Sequence, residues 1–275
     1  MQVERTAAQE FRFAHAAVAV RWSATTHEGM RRRVNEDSVV AAFPAFIVAD
    51  GMGGHDAGDV ASSAAIRPFQ AMKGRELPSP ARVERAVDDA FAAVGAVAEE
   101  GAGTTLAGAV LVEMDGIAHW LVVNVGDSRV YLVENGTLRQ LSVDHSLVQE
   151  LIDSGLLSPR GRERHAERHV ITRALGGGQD SDPDLWALPA ERGHRLLVCS
   201  DGLPDELRDE QIAWILSLHA SPAAAADALV DAALERGARD NVSVVVVDVD
   251  EVRHSDTGLH DTASVIDADT VPRRP

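Results

Sequence analysis

The chain has 275 residues, room for one large domain or two small ones at roughly 150 residues each. With 45% hydrophobic and 25% charged residues it is too apolar to be a wholly disordered chain, and its 26 Lys and Arg against 43 Asp and Glu leave a net charge of -17 that repels nucleic acid and anionic membranes. The single cysteine, Cys199, excludes an intramolecular disulfide framework and a Cys-rich zinc site, and fits a reducing compartment.

The N-terminal stretch MQVERTAAQEFRFAHAAVAV lacks the basic-then-apolar pattern of a secretory signal, and no run reaches about 18 apolar residues, so the chain reads as cytoplasmic with no membrane span. Residues 1–17 read as an N-terminal extension. Short runs of branched residues bounded by turn residues then predict strands over 18–25 and 46–49. Helices are predicted over 56–72, from the spacing of Val60, Ala61, Ala64, Ala65 and Phe69, and over 80–100, where Ser79-Pro80 offers an N-cap hydroxyl followed by proline. Strands over 104–112, 118–125 and 129–133 follow. Met114-Asp115-Gly116 and Asn135-Gly136 sit in tight turns where positive φ is tolerated, making the neighbouring strands antiparallel. A strand at 195–199, a helix starting at Asp209-Glu210, a helix from Ser221-Pro222 to about residue 236 and a strand at 242–247 close the body. Residues 250–275, rich in Asp, Ser and Thr, read as a flexible C-terminal tail. Paired helices and antiparallel runs argue against strict βαβ alternation, and neither a G-x-G-x-x-G nor a Walker sequence is present.

Four acidic motifs sit beside these strands: Asn35-Glu36-Asp37, Asp50-Gly51-Met52-Gly53-Gly54-His55, Ser200-Asp201-Gly202 and Arg239-Asp240-Asn241. Asp50 directly follows FIVA, Asp201 nearly follows LLVC and Asp240 precedes VSVVVV, so rigid strand ends hold all three carboxylates. Each motif alone is also a common turn sequence.

Together they change the reading. Arg32-x-x-Asn35-Glu36-Asp37, the Asp50 to His55 run, Gly103-Thr104-Thr105, Val125-Gly126-Asp127-Ser128-Arg129, Asp144-His145-Ser146, Ile171-Thr172-Arg173-Ala174-Leu175-Gly176, Ser200-Asp201-Gly202-Leu203 and Asp240-Asn241 occur in the order of the metal-dependent protein phosphatases. The chain resembles the bacterial form of that family, the protein phosphatase 2C class, over residues 18–249. The resemblance implies an α+β fold, a four-layer αββα sandwich of two antiparallel sheets flanked by helices. It implies a phosphatase that hydrolyses phosphoserine and phosphothreonine with water activated between two metal ions. Asp50 bridges those ions, Asp201 and Asp240 complete one site, Glu36 and the Gly51 carbonyl serve the other, and Asp127 with Asp201 holds a weaker third ion. Oxygen donors without thiolate or imidazole favour Mg²⁺ or Mn²⁺ over zinc or copper, and manganese is the usual activator among bacterial members. Arg32 matches the arginine that receives the substrate phosphate, for which its planar fork is suited, and Asp37 orients a metal-bound water.

The chain departs from the eukaryotic branch at one position. Met52 stands where those members carry the histidine that protonates the leaving oxygen, so the resemblance leaves the leaving-group acid unassigned. His55 follows three positions later. His165 and His169 are four apart but lack an accompanying third ligand, which argues against a metal pair there. Residues 144–178 resemble the flap beside the active site and are the expected seat of substrate choice. The implied partners are phosphorylated Ser/Thr proteins, substrates of a bacterial protein kinase. The competing reading is a catalytically silent phosphoprotein-binding or partner-switching module on the same fold, which is expected to have lost one or more of Asp50, Asp201 and Asp240.

Overall fold

The structure is a computed structural model that describes residues 7–13, 16–53, 57–74, 76–98, 101–177 and 182–254. In chain order its strands and helices are β1 (Ala7–Phe13), β2 (Ala16–His27), β3 (Ser38–Ala42), β4 (Ala45–Ala49), β5 (Gly51–Met52), α1 (Ala57–Gln70), α2 (Pro80–Val97), β6 (Gly103–Thr104), β7 (Leu106–Met114), β8 (Ile117–Val125), β9 (Arg129–Glu134) and β10 (Thr137–Gln140). There follow α3 (Leu147–Asp153), a 3-10 helix over Pro159–Arg164, β11 (Leu175–Gly176), β12 (Asp184–Pro189), β13 (Arg195–Cys199), α4 (Asp209–Leu218), α5 (Pro222–Glu235) and β14 (Val242–His254).

Two antiparallel sheets carry the fold, one ordered β1-β2-β14-β13-β9-β10 and the other β12-β8-β7-β4-β3, with a small third sheet β11-β6-β5 at one end. Strand alternation explains the layering: inward residues of both sheets, among them Val20, Trp22, Phe46, Val48, Trp120, Val245 and Val247, form one cluster between them. The outward residues of β4, β7 and β8 pack on α1 and α2, and those of β9, β13 and β14 on α4 and α5. The result is the αββα sandwich.

Several expectations shift in detail. The predicted strand over 104–112 breaks at Thr105, whose hydroxyl oxygen accepts from the Asp50 amide at 2.9 Å and shares a 2.8 Å hydrogen bond with Ser128 Oγ. β3 and β12 lacked a separate signal: β3 directly follows the Asn35-Glu36-Asp37 motif, and β12 is an edge strand with no fully buried residue. Regular pairing also runs beyond the bounds 18–249. β1 pairs with β2 from Ala7 to Phe13, and β14 continues past a bulge to His254 opposite Ala16, so part of the expected extension and the start of the expected tail belong to the sheet. Residues 255–275 and His55 lie outside the described residues. Of the two serine caps, Ser221 accepts from the Ala224 amide at 3.2 Å, whereas exposed Ser79 makes no capping bond and leaves the start of α2 to Pro80.

Phe46 sits at the centre of the inter-sheet core with no exposed surface, edge-on to Trp22 at 5.5 Å and to Trp120 at 6.0 Å. Truncating it opens a cavity that two rigid sheets close poorly. Phe46→Ala is expected to cost about 3–5 kcal/mol in urea unfolding, seen as a lower midpoint with an unchanged slope.

Candidate active site

One end of the sandwich gathers the acidic motifs. Arg32, Glu36 and Asp37 come from the β2–β3 loop, Asp50 and Gly51 from the β4–β5 junction, Asp127 from the β8–β9 turn, Asp201 from the residue pair after β13, and Asp240 from the approach to β14. All of these except Asp37 line a single cleft of about 450 Å³. Asp37 lies behind them, buried.

Short local bonds fix each donor. The Asp50 carbonyl accepts from the Thr105 amide at 2.9 Å and the Thr104 hydroxyl at 2.8 Å, so β6 clamps the end of β4. Gly51 is required there because a Cβ would stand 2.6 Å from the Glu36 carbonyl oxygen. Ser200 Oγ donates to Asp37 Oδ2 at 2.8 Å and accepts from the Ser243 amide at 3.0 Å, joining the ends of β13 and β14 to the β2–β3 loop. Asn241 staples that loop from the other side: Oδ1 accepts from the Glu36 amide at 2.9 Å, and Nδ2 donates to the carbonyls of Glu28 and Val34 at 3.0 and 2.9 Å. The Asp127 turn is held by His145, whose amide donates to the Gly126 carbonyl and whose Nδ1 accepts from the Gly126 amide at 3.1 Å. His145 Nε2 therefore carries the proton toward Asp184, 3.0 Å away, and this bond holds the Asp184 carboxyl below its usual range.

The electrostatics are those of a site built for cations. Burial first, then the charges of Asp37, Asp201 and Asp127, pushes Asp50 well above the carboxylate range. Burial, then the charge of Asp127, does the same to Asp201. Asp37 is pushed up to about 6 by burial, against the hydrogen bonds from Ser243 and Ser200. Asp127 is pushed up to about 7 by burial and by the charge of Asp144. Asp201 Oδ1 and Asp37 Oδ1 are buried without a hydrogen-bond partner. Orphaned carboxylate oxygens in an all-oxygen donor set fit hard divalent cations, and Arg32 currently meets the same need from outside, donating from Nη2 to Asp240 Oδ2 at 2.7 Å.

The cleft also contains residues to which the sequence reading gave no site role: Thr105, Arg168, His169, Asp205, Glu206 and Arg239. His169, Asp201 and Asp205 present donor atoms all within 4.8 Å of one another. Asp205 was legible in principle, since four residues after Asp201 places it one turn on, and its amide indeed donates to the Asp201 carbonyl at 2.9 Å. His169 was not. Its sequence neighbour His165 is no partner because the segment turns rather than continuing as a helix; the ring instead meets Asp205 across the cleft, Nδ1 to Oδ2 at 3.4 Å.

A family model described as protein phosphatase 2C matches residues 33–237. The chain belongs to the protein phosphatase 2C family. Within the protein phosphatase 2C family, it is 38% identical over 251 residues to the serine/threonine protein phosphatase PstP of Mycobacterium tuberculosis, an alignment that takes in 89% of this chain and 48% of PstP. The chain thus spans about half the length of that relative. It is 36% identical over 242 residues to the serine/threonine phosphatase stp of Listeria welshimeri, covering 81% of this chain and 93% of that one. Among solved structures, the catalytic domain of PstP in complex with two manganese ions superposes with a TM-score of 0.76 at 37% identity, covering 85% of this chain and 99% of that one.

The raised carboxyls make a pH prediction for the cation-free protein. Each binds its proton more tightly folded than unfolded, so the stability it lends is full below the ordinary carboxylate range and is lost as pH rises through about 6 for Asp37 and about 7 for Asp127. In chelator, Tm is expected to fall between about pH 4 and 7, and Mn²⁺ is expected to restore it at the upper end. A chelated protein whose Tm holds or rises across that window contradicts the assignment.

Proposed function

We propose that this chain is a metal-dependent phosphoprotein phosphatase acting on phosphoserine and phosphothreonine. The observation that carries the reading is the convergence of Arg32, Glu36, Asp50, Gly51, Asp127, Asp201 and Asp240, scattered over more than two hundred positions, on one cleft. Retention of Asp50, Asp201 and Asp240 in it favours an enzyme over a silent binding module.

In this reading Asp50, Asp201 and Asp240, with Glu36 and the Gly51 carbonyl, hold two divalent cations, manganese or magnesium, and Asp127 with Asp201 holds a third. Bound there, the cations supply positive charge to the phosphoryl oxygens and acidify water. The chain's own residues do the rest. Arg32, 49% exposed and reaching the cleft from the β2–β3 loop, turns from Asp240 to grip two phosphate oxygens with its fork. Asp37, held by Ser200, orients water from behind the ligands. Neutralising charge on the transferring group is where phosphoryl transfer gains most of its rate. The phosphatase unit is residues 18–249 together with β1 and the outer ends of β2 and β14, and the segment 144–178 is its flap.

The partners in this reading are phosphoproteins made by a bacterial protein kinase, and the compartment is the cytoplasm, where a buried lone thiol such as Cys199 stays reduced. The test is release of phosphate from a phosphothreonine peptide. It is expected to need Mn²⁺ or Mg²⁺, to stop in chelator and to be lost in Asp201→Asn. Asp37→Asn is expected to retain activity lowered by about 10–100-fold, and Arg32→Ala to raise KM more than it lowers kcat. Release that survives both chelator and Asp201→Asn sinks the reading.

A further inference from the structure

The flap brings one imidazole into the cleft that the reading above leaves unused. His169 lines it together with Arg32, Asp50, Asp201 and Asp240, the one histidine among the described residues to do so. Its side chain is 50% exposed and its Nδ1 lies 3.4 Å from Asp205 Oδ2. Nε2 has no hydrogen-bond partner among the described residues. Asp205 is itself fixed by the turn after β13, so it offers a steady carboxylate against which the ring is oriented.

The chemistry of the substrate asks for such a group. When the ester bond of phosphoserine or phosphothreonine breaks, its electron pair goes to the oxygen of a weakly acidic alcohol, and a proton delivered at that moment removes the charge. Few cleft side chains are able to deliver one. Met52 has no proton to give and Arg32 stays charged. Thr105 is engaged by Asp50 and Ser128, and Glu206 is paired with Arg239 at 3.0 Å. Asp50, Asp127, Asp201, Asp240 and Glu36 are committed to cations in that reading. His169 is left, with a carboxylate behind one nitrogen and the other nitrogen free, the relation that orients the histidine of hydrolytic triads.

Resting on the phosphatase reading, we propose that His169 is the general acid of this enzyme and Asp205 its positioning residue. Nε2–H donates to the ester oxygen as the bond from that oxygen to phosphorus breaks and the water oxygen forms its new bond to phosphorus. The alcohol leaves neutral, water gives up one proton to solvent, and the ring takes one back.

Leaving-group acidity tests this. Turnover by wild type, His169→Gln and Asp205→Asn is measured in Mn²⁺ on a phosphothreonine peptide and on a series of aryl phosphates that includes p-nitrophenyl phosphate. His169→Gln is expected to lose about 10²–10⁴-fold on the peptide and far less on p-nitrophenyl phosphate, whose phenolate departs without a proton. Its log kcat/KM falls more steeply with leaving-group pKa across the series. Asp205→Asn shows the same pattern with a smaller loss. Equal losses on both substrates assign His169 to holding the cleft or its cations and overturn the proposal, as does an undiminished peptide rate. Wild-type turnover of p-nitrophenyl phosphate in Mn²⁺ reports on the phosphatase reading separately: its absence sinks that reading, whereas its presence with equal losses sinks only the general acid.

Discussion

The structure is organised around carboxylates that the sheets hold closer together than water would let them stay. Two carboxylates about 5 Å apart repel by roughly 3 kcal/mol at an effective dielectric of 20, and burial adds a desolvation cost to each. The molecule meets this in the absence of cations by protonation and borrowing: Asp50 and Asp201 are held well above the carboxylate range, Asp37 leans on Ser200, and Arg32 reaches in to Asp240. In the proposed reading, divalent cations held by Asp50, Asp201 and Asp240 would replace those partial remedies with opposite charge.

Such a cluster needs a scaffold that does not yield. The apolar layer between the sheets, built from Val, Ala and a few large aromatics, fixes strand positions to the precision of close packing. Strand ends then project the acidic residues, and hydroxyl and amide side chains, Thr104, Thr105, Ser200 and Asn241, tie those ends to one another. The segment after β10 is tied differently. Arg162, from its 3-10 turn, donates to buried Asp144 at 2.8 Å, a carboxylate already gripped by Arg129 at 2.6 Å and 2.9 Å. This gives the outer wall of the cleft, including His169, a charged anchor to the sandwich, where an apolar one would demand burial that its composition does not supply.

Much of the site was legible because its acidic residues sit in short motifs next to strongly apolar strands, as Asp50 after FIVA and Asp240 before VSVVVV. Antiparallel order was legible from Asn135-Gly136 and the Asp115-Gly116 turn, where Asp115 and Asn135 take positive φ. What escaped depends on distant contacts. Thr105 breaks a strand because Asp50, 55 positions away, needs its hydroxyl. β12 gains its pairing from β8 rather than from its own pattern. His169 acquires meaning only when a turn brings it to Asp205, and no spacing along the chain encodes that.

The central claim is that these aspartates meet around divalent cations, and diffraction at the manganese absorption edge from crystals grown in MnCl₂ addresses it most directly. Two strong anomalous peaks bridged by the Asp50 carboxylate, one also touching Asp201 and Asp240, are predicted, with Arg32 turned away from Asp240. A cleft without anomalous signal, its carboxylates still paired with one another and with Arg32, would contradict the account.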